Sequence, residues 1–231
     1  MGEGFVEKRL STRARDDAEA VARFRAEAEL LRILGGRVTP KLIDSGEDER
    51  GPYLRMENVG LPILEERMNA AIDPAWIDRA FLRCLEALVV LHEGEPLVVH
   101  ADLSPSNIAI SDDGTRVSIL DLGLAFWNGA PARDGAFRGT IAYAAPEVAR
   151  GEMPTPRSDL FSLGAVFLHA ATGEHPHEER SFAAALTAVA EIPLIDDRHR
   201  ALASRGKGHA AMIRCLAHEP ADRPASAREA C

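Results

Sequence analysis

Apolar residues along the chain follow two periods. Between Phe5 and Leu10 they alternate with polar ones, which predicts a strand. From residue 14 to 34 the spacing changes. Val21, Phe24, Ala28, Leu31 and Leu34 recur at three- and four-residue steps, the period of a helix with one buried face, and Gly35-Gly36 supplies the stop. Lys41–Asp44 and Tyr53–Val59 predict two short strands around the turn-rich stretch Ser45–Pro52. Asp73-Pro74 opens a helix that reaches His92, with Pro74 in its first turn and Trp76, Phe81, Leu85, Leu88 and Leu91 on its inner face.

Farther on, Ile108–Ile110 and Val117–Leu120 predict a hairpin around Asp112-Asp113-Gly114. Residues 122–145 carry no period, and irregular stretches of that length are usually functional or disordered. Helices are predicted at 158–172, 181–190 and 208–218. The reading is α+β: strand, helix and two strands over residues 1–59, then a mainly helical 60–231 around one small hairpin.

Composition narrows the class. Hydrophobic residues make up 46% of the 231 and charged residues 27%, enough to build a core and unlike a disordered chain. The net charge of −9 argues against nucleic acid as a partner, since phosphate binding needs a basic face. Cys84, Cys215 and Cys231 are far apart and form no CxxC pair, which predicts a reducing, cytoplasmic setting without disulfides or a zinc site. Met1-Gly-Glu-Gly4 does not resemble a signal peptide. Leu160–Ala171, broken by Ser162 and His169, reads as a buried helix rather than a membrane span. Only Lys8, Lys41 and Lys207 among the 27 basic residues are lysines, so a lysine at a specific position is informative.

Candidate chemistry gathers at the hairpin. A hairpin centred on Gly114 would set Asn107 opposite Asp121, with Asp102 just before it on a loop stiffened by Pro105. Two carboxylates and an amide oxygen in one small volume suit Mg²⁺, a hard cation. The same residues could instead cap backbone groups in a turn-rich loop.

Taken together the motifs resemble the protein kinase family, whose catalytic loop H-R-D-x-x-x-x-N is followed by D-F-G and A-P-E. Here they read His100-Ala101-Asp102 with Asn107, Asp121-Leu122-Gly123 and Ala145-Pro146-Glu147. Gly139-Thr140 precedes the last of these, Ser158-Asp159 opens a helix similar to the family's central one, and Asp222-Arg223-Pro224 resembles the stretch whose Arg pairs with the A-P-E Glu. Phe5-Val-Glu-Lys8 takes the place of V-A-I-K, and Glu27 lies on the following helix; the alternative is that the two are ordinary solvated charges.

The resemblance implies a two-lobed kinase-like fold, with a truncated, β-rich small lobe at 1–59 and a helical large lobe at 60–231. It implies transfer of the γ-phosphoryl of ATP to Ser/Thr hydroxyls of a protein substrate. Lys8 would hold the α/β-phosphates with Glu27 as its orienter, and Asn107 and Asp121 would hold Mg²⁺. Asp102 would receive the acceptor hydroxyl's proton. Met56 would be the gatekeeper beside adenine, with Glu57, Asn58 and Val59 as the hinge. Other readings are a pseudokinase that binds nucleotide or a partner with little transfer, and a small-molecule phosphotransferase, whose catalytic loop also lacks the Lys.

Four departures bear on activity. Seven residues precede Lys8, too few for the family's G-x-G-x-x-G-x-V loop, so the expectation is a small lobe without its first two strands. Ser104 replaces the catalytic-loop Lys, which predicts slower chemistry. Ala101 replaces the Arg that pairs with a phosphorylated activation loop, and Leu124–Gly139 contains no Ser, Thr or Tyr, so phosphorylation is not expected to switch the protein. Leu122 replaces Phe in an apolar slot. His175-Pro-His177 with Glu174 and Glu178 reads as solvated loop rather than a metal site, and Cys84 as a buried small hydrophobe.

Overall fold

The computed structural model describes residues 4–130, 138–176 and 181–231. At one end lies an antiparallel sheet of β1 (Phe5–Arg9), β2 (Leu42–Asp48) and β3 (Gly51–Glu57), in the order β1-β3-β2. Ser45–Asp48, read from sequence as turn, instead pair with Gly51–Leu54 and leave only Glu49-Arg50 as the loop. β2 is an edge strand with mostly exposed residues, so polar side chains fit it and pairing overrides their turn preference.

α1 (Ala18–Leu34) packs against this sheet through Phe24, Ala28, Leu31 and Leu34, the face its period predicts. It starts four residues later than expected. Thr12–Ala14 form a separate 3₁₀ turn, and the Asp17 carboxylate accepts hydrogen bonds from the amides of Glu19 and Ala20, fixing the first turn. Gly35, at φ 62°, ends the helix by donating to Leu31 O at 3.1 Å.

The larger helical part contains α2 (Leu64–Arg67), α3 (Pro74–His92), the hairpin β4 (Ile108–Ile110) and β5 (Val117–Ile119), α4 (Pro146–Ala149), α5 (Pro156–Thr172), α6 (Phe182–Glu191), α7 (Asp197–Ala201), α8 (Lys207–Cys215) and α9 (Ala227–Ala230). α3 is capped by Asp73 with Pro74 at its start, as the sequence predicts. α5 begins two residues before the predicted start, because Thr155 and Ser158 form a reciprocal cap ahead of the apolar run. From Ser158 to Leu168 every residue of α5 is buried, so this helix is the axis of the core. Phe167 meets Phe81 of α3 edge-on, with ring centroids 5.3 Å apart. Truncating either ring would cost about 3–5 kcal/mol. Cys84 and Cys215 are buried beside them.

Two sequence expectations touch residues outside the described set. In the irregular stretch 122–145, residues 131–137 lie outside it; of the rest, Phe126 pairs with Val99 in an isolated bridge and Ile141–Tyr143 form a 3₁₀ turn. His177 and Glu178 also lie outside it, whereas the His175 ring packs edge-on against His169, 5.2 Å between centroids. Among the described residues no group of three His, Cys, Asp or Glu side chains could hold a metal, and no helix is long and apolar enough to cross a membrane.

Candidate active site

Lys8 sits on β1 opposite Leu54, and its ammonium leaves the sheet toward α1. Nζ donates to both Glu27 oxygens at 2.9 Å and to Asp121 Oδ1 at 2.8 Å. One cation thus serves two carboxylates of unequal burial: Glu27 is buried, while the Asp121 side chain is 47% exposed. Burial opposes the Lys8 charge, but Glu27 and Asp121 together outweigh it and hold its pKa above the ordinary lysine value. Burial also lifts the Glu27 carboxyl, with Lys8 pulling it back. For Asp121, burial is again the largest single influence, yet Lys8 and the Gly123 amide overcome it and hold the carboxyl below the usual range. Gly123 belongs here because a Cβ would stand 3.1 Å from Asp121 Oδ1 and 3.4 Å from Lys8 Nζ.

Asp102 lies on a loop whose shape is set from α5. Asp159, buried at the first turn of that helix, accepts from the amides of His100 at 2.7 Å and Ala101 at 2.9 Å, and its carboxylate meets His92 Nε2 at 3.0 Å. These bonds hold Ala101 at φ 63°, a left-handed conformation that L-residues adopt at a cost. His100 Nε2 is 2.9 Å from Leu120 O, and Asp102 N donates to His100 Nδ1 at 3.3 Å. Both contacts are made by the tautomer with its proton on Nε2. The sequence reading assigned Asp159 to the central helix but no task. The signal available was a carboxylate at the mouth of an apolar run, which must find buried donors.

Asn107 ends the 3₁₀ turn that Pro105 begins, and Nδ2 donates to Asp102 O at 2.9 Å. That leaves Oδ1 of the amide as its acceptor. The predicted pairing of Asn107 with Asp121 is off by one residue. The observed register is Ile108 with Ile119, Ala109 with Ser118 and Ile110 with Val117, so Asn107 faces Leu120 and its O accepts from Leu120 N at 2.8 Å. The cause is the turn. Ser111 N bonds Arg116 O, and the Asp113 carboxylate gathers Ser111 Oγ and Thr115 N, making an even loop centred between Asp113 and Gly114. Asp121, one residue past the pair at φ 53°, turns back toward Lys8.

Asn107 and Asp121 line the same cleft, of about 520 Å³, with Lys8, Glu27, Met56, Glu57, Asn58 and Val59. Eight of the nine sequence-predicted site residues therefore converge on one volume. At the end of β3, Glu57 N donates to Lys41 O at 2.9 Å and Asn58 N to Gly4 O at 3.3 Å, so those two amides are engaged by the chain itself.

The ninth, Asp102, lines a separate crevice with Thr140, Tyr143 and Val148. Its Oδ1 accepts from Thr140 N at 2.7 Å. Gly139, at φ 117°, permits this approach, because a Cβ there would fall 3.0 Å from the same oxygen. At the position of the family's catalytic-loop lysine, Ser104 is buried with its Oγ 2.9 Å from Ser106 Oγ. Leu122 is buried in the core cluster, as its apolar slot requires.

Behind this crevice, Glu147 and Arg223 form a buried two-pronged pair, at 2.7 and 2.9 Å. Ser158 Oγ also donates to Glu147, and the Arg223 guanidinium donates to the carbonyls of Arg157, Ala217 and His218. Burial raises the Glu147 carboxyl, but Arg223 outweighs it and the pKa lies below the ordinary value.

Comparisons with known proteins point to one family. The chain is 33% identical over 173 residues to the serine/threonine-protein kinase PknL of Mycobacterium tuberculosis, covering 73% of this chain and 43% of that protein. It is 32% identical over 212 residues to the probable serine/threonine-protein kinase PkwA of Thermomonospora curvata, covering 87% and 28%. A probable serine/threonine-protein kinase of Corynebacterium efficiens is 30% identical over 243 residues, covering 99% and 36%. The chain thus spans less than half the length of each of these relatives. The protein kinase domain matches residues 1–231, so this chain belongs to the protein kinase family.

Proposed function

We propose that the chain transfers the γ-phosphoryl group of ATP to Ser or Thr hydroxyls of a protein substrate. The observation that carries this reading is the Lys8 ammonium held between Glu27 and Asp121 at 2.8–2.9 Å, at the edge of a cleft large enough for a nucleotide. Adenine would lie against Met56 and the hinge Glu57-Asn58-Val59; the Val59 amide is the hinge donor, since those of Glu57 and Asn58 are engaged. Lys8 would meet the α/β-phosphates, exchanging part of its contact with Asp121 for them while Glu27 keeps it aimed.

The donor set fits a hard divalent cation. Asn107 Oδ1 and the Asp121 carboxylate are oxygen ligands on one wall of the cleft, and Asn107 is fixed by its bond to Asp102 O. Mg²⁺ bound there would supply positive charge against the phosphate oxygens. Asp102 would hold the acceptor hydroxyl through its free oxygen and accept its proton as the new O–P bond forms and the bond to the leaving ADP oxygen breaks. Ser104 supplies no charge, so the transition state is stabilised less than in relatives with a lysine there.

The peptide would lie along Gly139–Tyr143, braced by Glu147 and Arg223 from behind. The division into a nucleotide-side lobe, 1–59, and a peptide-side lobe, 60–231, belongs to this reading. So does a cytoplasmic setting, which the three free cysteines suit.

Incubation of the purified chain with Mg²⁺, γ-labelled ATP and a Ser/Thr-rich acceptor protein should give labelled phosphoserine or phosphothreonine. Asp102→Asn should lower the rate about a thousandfold with nucleotide affinity retained. Nucleotide binding with no transfer by the unaltered chain would overturn the reading in favour of a binding module.

A further inference from the structure

The end of the irregular segment is tied to the first turn of α1. Arg138 Nη1 donates to Glu19 Oε1 at 2.6 Å and Nη2 to Glu19 Oε2 at 3.4 Å. Arg23, one turn farther along α1, shares the same carboxylate. Arg138 immediately precedes Gly139-Thr140, whose amide holds Asp102, and Glu19 lies two turns before Glu27, which holds Lys8. The pair therefore joins the two halves of the site: Asp102 and the peptide platform on one side, Lys8 and its helix on the other. In both sequence and space it is distinct from the ion pairs of the cleft.

We infer that Glu19 and Arg138 are positioning residues that dock the platform onto α1 by a permanent ion pair, without a phosphate. The charges make the case. Docking a loop by phosphorylation needs a hydroxyl on the loop and cations to receive the phosphate. Here Leu124–Gly139 offers no Ser, Thr or Tyr, and position 101, beside the catalytic carboxylate, is an alanine. The arrangement is reversed: the cation is on the segment and the carboxylate is on the helix. Both charges belong to unmodified side chains, so the contact needs no added group to form. Glu19 also belongs to the helix's first turn, where a negative charge is favoured by the helix dipole. Arg23 shares the Glu19 oxygen that Arg138 uses, so its removal leaves that carboxylate to Arg138.

This inference rests on the phosphotransfer reading, and its test separates the two. Glu19→Gln and Arg138→Gln are compared singly and together, with Arg23→Gln as the control that leaves the link intact. Each single variant should lower kcat/KM for the acceptor peptide about three- to fivefold, the scale of a half-exposed ion pair. The double variant should be no worse than either single one, and Arg23→Gln should stay within twofold of the unaltered chain. Affinity for ATP should hold within twofold in all four.

Hydrogen exchange read at the amides of Gly139–Tyr143 gives a second measurement that needs no catalysis: protection should fall in both single variants alike. Additive losses, or unchanged exchange and unchanged kcat/KM, would overturn the link. Absence of transfer by the unaltered chain would overturn the proposed function, and the exchange result would still decide the link.

Discussion

Two clusters of charge divide the work of this molecule. Glu147 and Arg223 are both buried, and five further hydrogen bonds, to Ser158, three carbonyls and the pair's second prong, occupy what they can offer. Lys8, Glu27 and Asp121 are unevenly buried, and one ammonium is stretched over two carboxylates. A saturated pair has nothing left for a ligand and holds structure together. A cluster whose second carboxylate, Asp121, is open to solvent can trade that contact for a phosphate without leaving a buried charge stranded.

The sharpest way to break this contrast is Lys8→Met. Phosphotransfer should fall by about a thousandfold. Tm should fall as well, because the buried Glu27 loses its cation, and adding Glu27→Gln should restore Tm without restoring transfer. A Tm that Glu27→Gln does not restore would place Lys8 with the structural pair instead. Arg223→Met is the converse. It strands the Glu147 carboxylate in the core, and urea unfolding should show a loss of about 3–5 kcal/mol. Stability within 1 kcal/mol of the unaltered chain would mean that the pair is not structural.

The two ends of the pH range should separate the clusters next. Glu147 titrates below its unfolded value, so its contribution is present above about pH 4.3 and is lost as pH falls through the depressed folded value. Asp121 behaves in the same sense, whereas Lys8, held above its unfolded value, contributes below about pH 10.4 and loses that contribution as pH rises through the folded one. Melting curves should therefore show an acid limb blunted by Glu147→Gln and an alkaline limb blunted by Lys8→Met. The smallest effect is at Ala101. Ala101→Gly relieves a left-handed alanine and should raise stability by at most about 1 kcal/mol, read as about 2–4 °C in Tm.

What the sequence made legible follows from how far apart the cooperating residues are. α3 and α5 were legible because period, cap and proline agree within one segment. Asp102, Asn107 and Asp121 were legible through motif spacing, and the cleft gathers eight of the nine residues so read. β2 was hidden because an exposed edge strand can be made of turn-forming residues. The hairpin register depended on one fact of turn geometry, the parity set by Asp113 and its hydroxyl partners. Asp159 reaching His92 and the catalytic-loop amides, and Arg138 reaching Glu19, join residues 58 to 119 positions apart through side chains that no local period marks.

The bond from Thr140 N to Asp102 Oδ1 also constrains the carboxylate as an object. It removes the half-turn that would exchange the two oxygens, so they are no longer equivalent. In the proposed reaction an arriving hydroxyl finds a single seat, approached from a single direction, while the bare Gly139 stands against the oxygen already engaged. Selectivity for where on a peptide the phosphate goes then begins with a rotor that has been stopped, before any side chain of the substrate is recognised.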